Sequence, residues 1–319
     1  MPKKKRKSSR KSNRNQHRGG ALFLSLLVLV ILVFLRYGPE IVDVLGDFSN
    51  TIRPTTPTDG TVSVHYIDVG QADAILILTP EGNAMLIDAG TAGTDTLLVE
   101  YLRNLKIETL DYFVLTHPHA DHIGGAAEIF DAFVIEEVLM PEAISTSKTF
   151  QTVLEKIEAE GCPLTVPEPS ETHELGNAII TVLGPVKEYD DLNDASLVLR
   201  MDYGTTSFLF TGDAEIPSET DMLAHHPANV FDADVLKLGH HGSSTSSSSA
   251  WLDAVSPKYA IASCGKDNSY GHPHAETITQ MSERNIVLYR TDECGTVIIT
   301  TDGTVLTPSL QKQSQGKAA

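Results

Sequence analysis

The 319-residue chain predicts a mixed α/β fold that follows one apolar N-terminal segment. Three observations predict it. From residue 61 onward, short apolar or alternating segments typical of strands are interspersed with longer segments of helical periodicity. Before them, residues 21–35 contain no charged residue. The hydrophobic content of 41% is ordinary for a globular core. Periodicity alone leaves α/β and α+β arrangements open.

The N-terminal segment predicts a membrane anchor. Residues 1–18 contain nine Lys or Arg and no acidic residue, and residues 19–38 are uncharged except for Arg36, which can snorkel. A cleaved signal peptide is the alternative, but the apolar stretch is too long for one and no Ala-x-Ala-like site follows. We therefore expect residues 1–18 in the cytoplasm, a transmembrane helix at 19–38 and the rest outside the cell, in a single-pass cell-membrane protein.

A linker and an acidic body follow the anchor. Residues 39–60 are rich in Asp, Ser, Thr, Pro and Gly and show no apolar periodicity, which is typical of a linker. Residues 19–319 hold 15 basic and 42 acidic residues, a formal charge of −27. Such a body repels polyanions unless bound metals or a local basic patch compensate.

The folded domain is expected at residues 61–308, with a disordered tail at 309–319. In its first half we expect strands at 62–68, 74–78, 84–88, 110–115 and 134–140 and helices at 94–105 and 146–159. Val153, Leu154 and Ile157 should lie on the inner face of the second helix. In its second half we expect strands at 178–183, 196–201, 206–211, 233–238, 259–263, 286–289 and 296–300 and helices at 215–225 and 275–284, with one more helix after residue 249. Two such halves suggest two sheets packed face to face with helices outside.

The most informative loop follows the strand at 110–115. It brings His117, His119, Asp121 and His122 within six positions, directly before Gly124 and Gly125. Imidazole and carboxylate groups are the ligands that zinc, manganese and iron accept. A solvated histidine-rich turn is the alternative, but the density of ligand types at a strand end favours a metal site. The spacing suits a pair of metals better than one.

Two later strand ends supply further candidates. Asp213 follows Gly212, although Gly-Asp is by itself a common turn. His240 and His241 follow the buried segment 233–238. Because adjacent side chains of an extended segment point in opposite directions, both should not bind one ion. We take His241 as the ligand and His240 as the residue facing substrate.

The His-x-His-x-Asp-His motif resembles the first metal motif of the metallo-β-lactamase superfamily. Together with residues 67–74, 86–90, 193–200, 210–213 and 236–244, it looks like the metallo-hydrolase domain of ComEC-type competence proteins, across residues 61–305. The resemblance implies an αββα four-layer sandwich and one or two divalent transition metals, zinc or manganese. It implies these metal ligands: His117, His119, Asp121, His122, Asp213 as the bridge, and His241. It also implies residues around the substrate and behind the ligands: Asp68, Gln71 and Asp73 at the mouth, and Asp88 behind the histidines.

Two departures from the family pattern affect the site. Ala72 stands where relatives usually have glycine, a small change unless that backbone needs positive φ. The third histidine of the broad superfamily is missing, since His173 is the only histidine between the first motif and Asp213 and it lies in an unexpected place. Asn193, Ser196 or water would then complete the shell of one metal, and a single bound metal remains an alternative.

The expected activity is hydrolysis of a phosphodiester by a metal-activated water that Asp121 orients. His240 and His272, the latter in a Gly-His-Pro-His segment, are the other candidate catalytic residues. Nucleic acid and cell-wall or phosphocholine-type phosphodiesters are the candidate substrates, and no protein partner is implied. The alternatives are a catalytically silent surface binding module and a lactonase or β-lactamase-type acyl hydrolase. Cys264 and Cys294 could pair outside the cell, but free or buried thiols are favoured.

Overall fold

The structure is a computed structural model that describes residues 60–312. The expected cytoplasmic segment, anchor and most of the linker lie outside the described residues. Across 60–312, no helix is both long enough and apolar enough to cross a membrane.

Fifteen strands and eight α-helices are described in this range. The strands are β1 (Val62–Tyr66), β2 (Ile75–Leu78), β3 (Ala84–Ile87), β4 (Thr109–Val114), β5 (Val134–Leu139), β6 (Leu164–Thr165), β7 (Thr172–Leu175), β8 (Ala178–Gly184), β9 (Val198–Tyr203), β10 (Thr206–Phe210), β11 (Val235–Lys237), β12 (Tyr259–Ala262), β13 (Val287–Arg290), β14 (Val297–Thr301) and β15 (Leu306–Leu310). The helices are α1 (Asp95–Asn104), α2 (Ala120–Ile123), α3 (Ala126–Ala132), α4 (Lys148–Glu160), α5 (Ile216–His225), α6 (Ser249–Val255), α7 (Ala275–Glu283) and α8 (Thr291–Cys294). Two 3₁₀ turns span Ala228–Val230 and Gly239–Gly242.

The strands form two mixed sheets. One has eight strands in the order β15-β14-β1-β2-β3-β4-β5-β6, and the other has seven in the order β13-β12-β11-β10-β9-β8-β7. In the first, β3 to β6 are parallel neighbours, whereas β15 to β3 are antiparallel. In the second, β10 to β13 are parallel and β7 to β10 antiparallel. The carboxyl ends of the parallel strands therefore meet at one edge of each sheet.

Alternation of side chains along the strands divides the core into three apolar layers. Val64, Ile77, Phe208 and Ile261 belong to the layer between the sheets. The next residues along the same strands pack outward, against α1, α3 and α4 on one sheet and against α5, α6 and α7 on the other. The protein is therefore a mixed α/β sandwich with helices on both outer faces, as the sequence predicts.

The structure differs from the sequence prediction at several elements. Leu154 is 38% exposed, and α4 buries Phe150 with Val153 and Ile157 instead. Strands β6, β7 and β15 are not predicted from the sequence, because they are short or half-exposed and have weak patterns. Residues 309–310 belong to β15, so the expected boundary at 308 falls inside a strand. Because β14 and β15 pair with β1, the chain returns to its first sheet and does not form two separate halves.

Candidate metal centre

The candidate site lies where strands of both sheets end. His117, His119, Asp121 and His122 follow β4 of the first sheet. Asp213 follows β10 of the second sheet, and the His240–His241 turn follows β11 beside it. The approach of the two sheets is close here: Gly212 has a φ of +50°, and a Cβ at this position would lie 3.0 Å from the side chains of Ser196 and Thr116. Glycine is therefore required at position 212, directly before Asp213, the carboxylate that the second sheet contributes to the site.

Four ligand-type side chains converge at this point. One oxygen or nitrogen atom from each of Asp121, His122, Asp213 and His241 lies within 4.8 Å of the other three. His241 Nε2 is 3.3 Å from Asp121 Oδ2 and 3.6 Å from Asp213 Oδ2. Three of the four residues are buried, and the Asp121 side chain remains 36% exposed. The cluster thus opens to solvent at Asp121.

Imidazole nitrogens surround one oxygen of Asp213. The distances from Nε2 to Asp213 Oδ2 are 3.2 Å for His122, 3.6 Å for His241 and 3.9 Å for both His117 and His240. His119 lies beside this group, with its Nδ1 3.0 Å from His117 Nε2.

The other ring nitrogen of each surrounding histidine is held by a protein acceptor. His122 Nδ1 donates to Asp88 Oδ2 at 2.7 Å, His241 Nδ1 to the Ser263 carbonyl at 2.9 Å and His240 Nδ1 to Glu215 Oε1 at 2.7 Å. His117 Nδ1 lies 3.2 Å from the hydroxyls of both Thr116 and Ser196. An acceptor on Nδ1 fixes the tautomer and leaves Nε2 as the ligand atom, which is how proteins orient metal-binding histidines.

The carboxylates of the cluster favour a positive charge beside them, which protonated histidines or a metal cation can supply. Burial raises the pKa of the Asp213 carboxyl, but His122 and His241 outweigh this and hold that pKa well below its usual range. Burial lowers the pKa of His241, but Asp213 and Asp73 outweigh it and raise the pKa to about 9. Burial and the charge of His122 instead hold the pKa of His117 well below its usual range.

Two buried atoms of the cluster support the same conclusion. His122 Nε2 and Asp213 Oδ1 make no hydrogen bond within the part of the chain that the structure describes. Buried polar atoms are normally satisfied, so atoms left without a bond at a converging set of histidines and carboxylates fit a divalent cation. The residues present therefore fit the metal that this donor set implies.

A buried ion pair lies behind His241. Lys237 is fully buried in β11, and its Nζ lies 2.8 Å from Asp73 Oδ2. The other Asp73 oxygen is 3.4 Å from His241 Nδ1. Burial raises the pKa of the Asp73 carboxyl, but Lys237 and His241 outweigh it and hold that pKa below its usual range. Asp73 is thus an ionised support for His241. The resemblance had implied that Asp73 lines the mouth of the site, and the structure does not place it there.

A cleft of 290 Å³ opens over the cluster. Its lining includes the candidate ligands His119, Asp121, Asp213, His240 and His241. The remaining lining residues are Gln71, Ala120, Asn193, Tyr270 and His272. Asp68 is not among them, and its carboxylate pairs with Lys312 at 3.2 Å. The expectation of Asp68 at the mouth is therefore not met, whereas Gln71 and Asn193 do face the cleft.

The hydrogen bonds of Gln71 fix the protonation of His272. The Gly265 N–H donates to Gln71 Oε1 at 3.0 Å, which orients the amide so that its Nε2 faces His272 Nδ1 at 3.3 Å. Since the amide nitrogen can only donate, His272 Nδ1 must accept and the ring proton lies on Nε2. Burial and the charges of His240 and His241 lower the pKa of His272 to about 4, which keeps the ring neutral.

Several placements correct the reasoning from sequence. The His240–His241 segment is not extended: both residues have positive φ, +46° and +56°, so both imidazoles approach Asp213. Ser196 lies behind His117 and accepts from the Asp213 N–H at 3.1 Å, so its hydroxyl supports the ligands from outside. His173 Nε2 lies 3.4 Å from Glu171 Oε1 and the ring packs on Tyr112, away from the candidate ligands.

Other functional candidates were not found by sequence reasoning. Thr116 bonds Asp88 through both its N–H and its hydroxyl, and Glu215 holds His240. Lys237 could have been recognised from the sequence, because a charged residue inside an apolar strand segment implies a buried partner of opposite charge. Ala72 causes no conflict, since it is not among the residues with positive φ, whereas Gly70 has a φ of +76°. Cys264 and Cys294 are free thiols, so the possible disulfide is not formed.

This arrangement of histidines and aspartates at strand ends is that of a known protein family. The Metallo-beta-lactamase superfamily model matches residues 67–266. The chain belongs to the metallo-beta-lactamase superfamily. The chain is accordingly a metal-dependent hydrolase by family, with a divalent metal as its cofactor.

Relatives narrow the similarity within the superfamily. ComE operon protein 3 of Bacillus subtilis (strain 168) is 28% identical to this chain over 305 residues, which cover 86% of it. Competence protein ComA of Neisseria gonorrhoeae is 32% identical over 284 residues, which cover 85% of this chain. The chain spans 38% of the length of each. The resemblance to ComEC-type proteins is thereby confirmed. Igni18, a metallo hydrolase from Ignicoccus hospitalis, shares the fold with a TM-score of 0.50 and 16% identity, over 75% of this chain and 98% of its own.

Proposed function

We propose that this chain is a phosphodiesterase that hydrolyses nucleic acid with a metal-activated water. The observation that carries the proposal is Asp121, which belongs to the ligand cluster, lines the cleft and has the most exposed side chain of the four cluster residues. A metal held by Asp121 and its neighbours would face the cleft, where it could supply an activated water to substrate. A bound divalent metal lowers the pKa of water and polarises a phosphoryl oxygen.

The ligands divide into two groups around Asp213. Asp121, His122 and His241 form one group with it. His117 and His119 lie on another part of the cluster, where the superfamily's third histidine is missing. We assign His240 to this second group, because its Nε2 is as far from Asp213 Oδ2 as that of His117. Its Nδ1 bond to Glu215 resembles the carboxylate–histidine pairs that support metal ligands. His240 would then be a metal ligand and not the residue facing substrate.

His272 acts on substrate as a neutral donor. Its Nδ1 is occupied by Gln71, so its Nε2–H is the group available to a phosphoryl or leaving-group oxygen in the cleft. Gln71 is a positioning residue, because it selects the tautomer that can donate. Asp121 orients the attacking water. Burial raises the pKa of its carboxyl, but His241 and His122 outweigh this and lower the pKa to about 2, so the carboxylate stays ionised.

Similarity to ComEC-type competence proteins supports a nucleic-acid substrate. Cell-wall and phosphocholine-type phosphodiesters remain the competing substrates. We also propose that residues 19–38 anchor the chain in the cell membrane, with the hydrolase domain outside the cell, on the strength of the cationic cluster and apolar segment.

The test is metal-dependent turnover by the full-length chain. Single-stranded DNA, bis-p-nitrophenyl phosphate and a lactone are compared at equal metal loading. We expect hydrolysis of both phosphodiesters, and we expect Asp121→Asn to lower the rate about 10²- to 10⁴-fold while the fold is kept, since water orientation and metal binding both suffer.

Three results would count against the proposal. Hydrolysis of the lactone alone identifies an acyl hydrolase. Hydrolysis of bis-p-nitrophenyl phosphate without any effect on DNA points to a smaller phosphodiester. Tight, metal-free DNA binding without hydrolysis of any substrate identifies a binding module.

A further inference from the structure

Tyr270 is an exposed aromatic residue at the edge of the metal cleft. It is 67% exposed, although it lines the same cleft as Asp213 and His240. Among the large exposed hydrophobic side chains of residues 60–312, it is the only aromatic one. One face of its ring lies against His272, with ring centroids 5.5 Å apart and an angle of 24° between planes. The exposure of the side chain leaves room for a second planar group.

The turn that carries Tyr270 is held by hydrogen bonds to the metal-binding loop. His274 Nδ1 accepts from the Ser244 N–H at 2.9 Å, so its proton lies on Nε2, which donates to the Tyr270 carbonyl at 3.1 Å. Asn268 closes the same turn by accepting from the His272 N–H at 2.9 Å and donating to the carbonyls of Gly265 and His272. Tyr270 is thus placed before substrate arrives, which reduces the entropy cost of binding.

A second cleft of 400 Å³ continues past this turn. It shares His272 with the metal cleft and is also lined by two cationic residues, Lys266 and Arg290, and by three acidic residues, Asp267, Asp292 and Glu293. Arg290 is already paired with Asp292 and Glu293. Lys266 is exposed and forms no ion pair with any residue in the range 60–312, so its charge is available to a ligand.

We propose that Tyr270 binds a nucleobase of the substrate strand by stacking, next to the phosphodiester held at the metal cleft, and that Lys266 contacts the phosphate beyond that base. The inference rests on the proposed function and adds a subsite to it. Its physical basis is general: single strands are bound by aromatic rings that stack on bases and by cations that follow the backbone, and every base offers a flat face. A subsite of this kind selects a nucleic acid over a phosphodiester that lacks bases.

A purely structural role for Tyr270 would be to cover His272. Truncation of the ring would then lower cleavage of every bond of every oligonucleotide, with or without a base at any one position. Stacking makes a different prediction, because removing the ring and removing its base delete the same interaction. Their effects should therefore not add.

The experiment uses the full-length, metal-loaded chain and a set of end-labelled single-stranded oligonucleotides. Each carries one abasic residue at a different position, and the cleavage rate of every bond is measured. For the wild type, we expect cleavage to fall about 5- to 150-fold at one bond a fixed number of nucleotides from the abasic residue, as loss of one stacked base implies. Tyr270→Ala should lower cleavage of the intact strand by a similar factor and abolish that positional minimum. Tyr270→Phe should keep it.

Val305→Ala is the matched surface control, because Val305 is 59% exposed and does not line the cleft. It should behave as the wild type. A positional minimum that persists in Tyr270→Ala overturns the proposal, and so does its absence from the wild type.

If the wild type hydrolyses no phosphodiester, the proposed function fails and Tyr270 is tested by binding. Fluorescence anisotropy then compares the Kd of intact and abasic strands for the metal-loaded chain. Equal affinities for the wild type and Tyr270→Ala overturn the stacking subsite, whereas weaker binding by Tyr270→Ala that is insensitive to the abasic residue supports it.

Discussion

At the scale of single residues, the site depends on outer acceptors that decide which imidazole nitrogen is free. Asp88, Ser263 and Glu215 each accept from one Nδ1, and the three freed Nε2 atoms lie 3.2–3.9 Å from Asp213 Oδ2. Lone pairs directed at a carboxylate repel it unless a proton or a metal lies between them. The acceptors that fix the tautomers therefore also leave a set of Nε2 lone pairs and carboxylate oxygens that a cation would stabilise.

The assignment of His240 leads to a prediction about metal content. His240→Ala should lower the metal bound per chain by about one ion at a free-metal concentration that saturates the wild type, because the second ligand group then keeps too few donors. Glu215→Gln should weaken that metal by about 10- to 100-fold while keeping the imidazole. Elemental analysis and metal titration measure both.

His272→Ala is the control for this prediction, since His272 lies in the cleft without a place in either ligand group. It should keep the metal content of the wild type. If His240→Ala also keeps full metal content and affinity but loses activity, His240 faces substrate, as the sequence suggested.

At the scale of elements, long apolar segments were predictable and the geometry of the loops was not. Each strand that carries the site, β4, β10 and β11, ends within two residues of its expected position, because buried strands have strong patterns. The ligand-bearing residues after them were therefore found. The backbone between them was not, since positive φ at His240 and His241 is set by the contacts of the turn with neighbouring elements. That local geometry decides whether one histidine or two reach Asp213.

Helix α5 carries a buried carboxyl that connects it to the serine-rich loop after the metal-binding turn. Glu219 is 2% exposed and accepts from the N–H groups of Ser247 and Ser248, and the Ser248 hydroxyl in turn caps α6. Burial raises the pKa of Glu219 to about 7, against the effect of the Ser248 and Ser247 hydrogen bonds. A carboxyl with a raised pKa stabilises the fold below its unfolded value of 4.5, and this contribution is lost as the pH rises to 7.

The prediction is a pH-dependent difference between the wild type and Glu219→Gln. As the pH rises from 4.5 to 8, the unfolding free energy of the wild type should fall by about 3 kcal/mol relative to that of the variant, whose amide does not titrate. Urea unfolding at several pH values measures the difference, and the comparison removes the contributions of all other groups. A difference that stays constant with pH means that folding does not raise the pKa of Glu219.

At the scale of the whole molecule, the candidate site joins the two sheets. Asp121 and His122 come from the eight-stranded sheet, whereas Asp213 and His241 come from the seven-stranded sheet. A metal bound to all four would connect the two halves of the sandwich and stabilise it by mass action. The surrounding body is strongly acidic and repels an anionic phosphodiester. A bound metal would supply the positive charge that attracts such a substrate to the site.

The final prediction concerns how the chain is placed in a cell. If the cationic cluster of residues 1–18 stays in the cytoplasm and residues 19–38 span the membrane, protease added to intact cells should remove the hydrolase domain and leave a short protected fragment. Replacing Lys3, Lys4, Lys5 and Arg6 by Glu should weaken this orientation and protect a fraction of the domain, because the bias in positive charge sets the topology. Full protection of the domain in the wild type, or a mature N-terminus beyond residue 35, contradicts the anchor. Lysed cells provide the control, since there the protease reaches both sides of the membrane whatever the orientation.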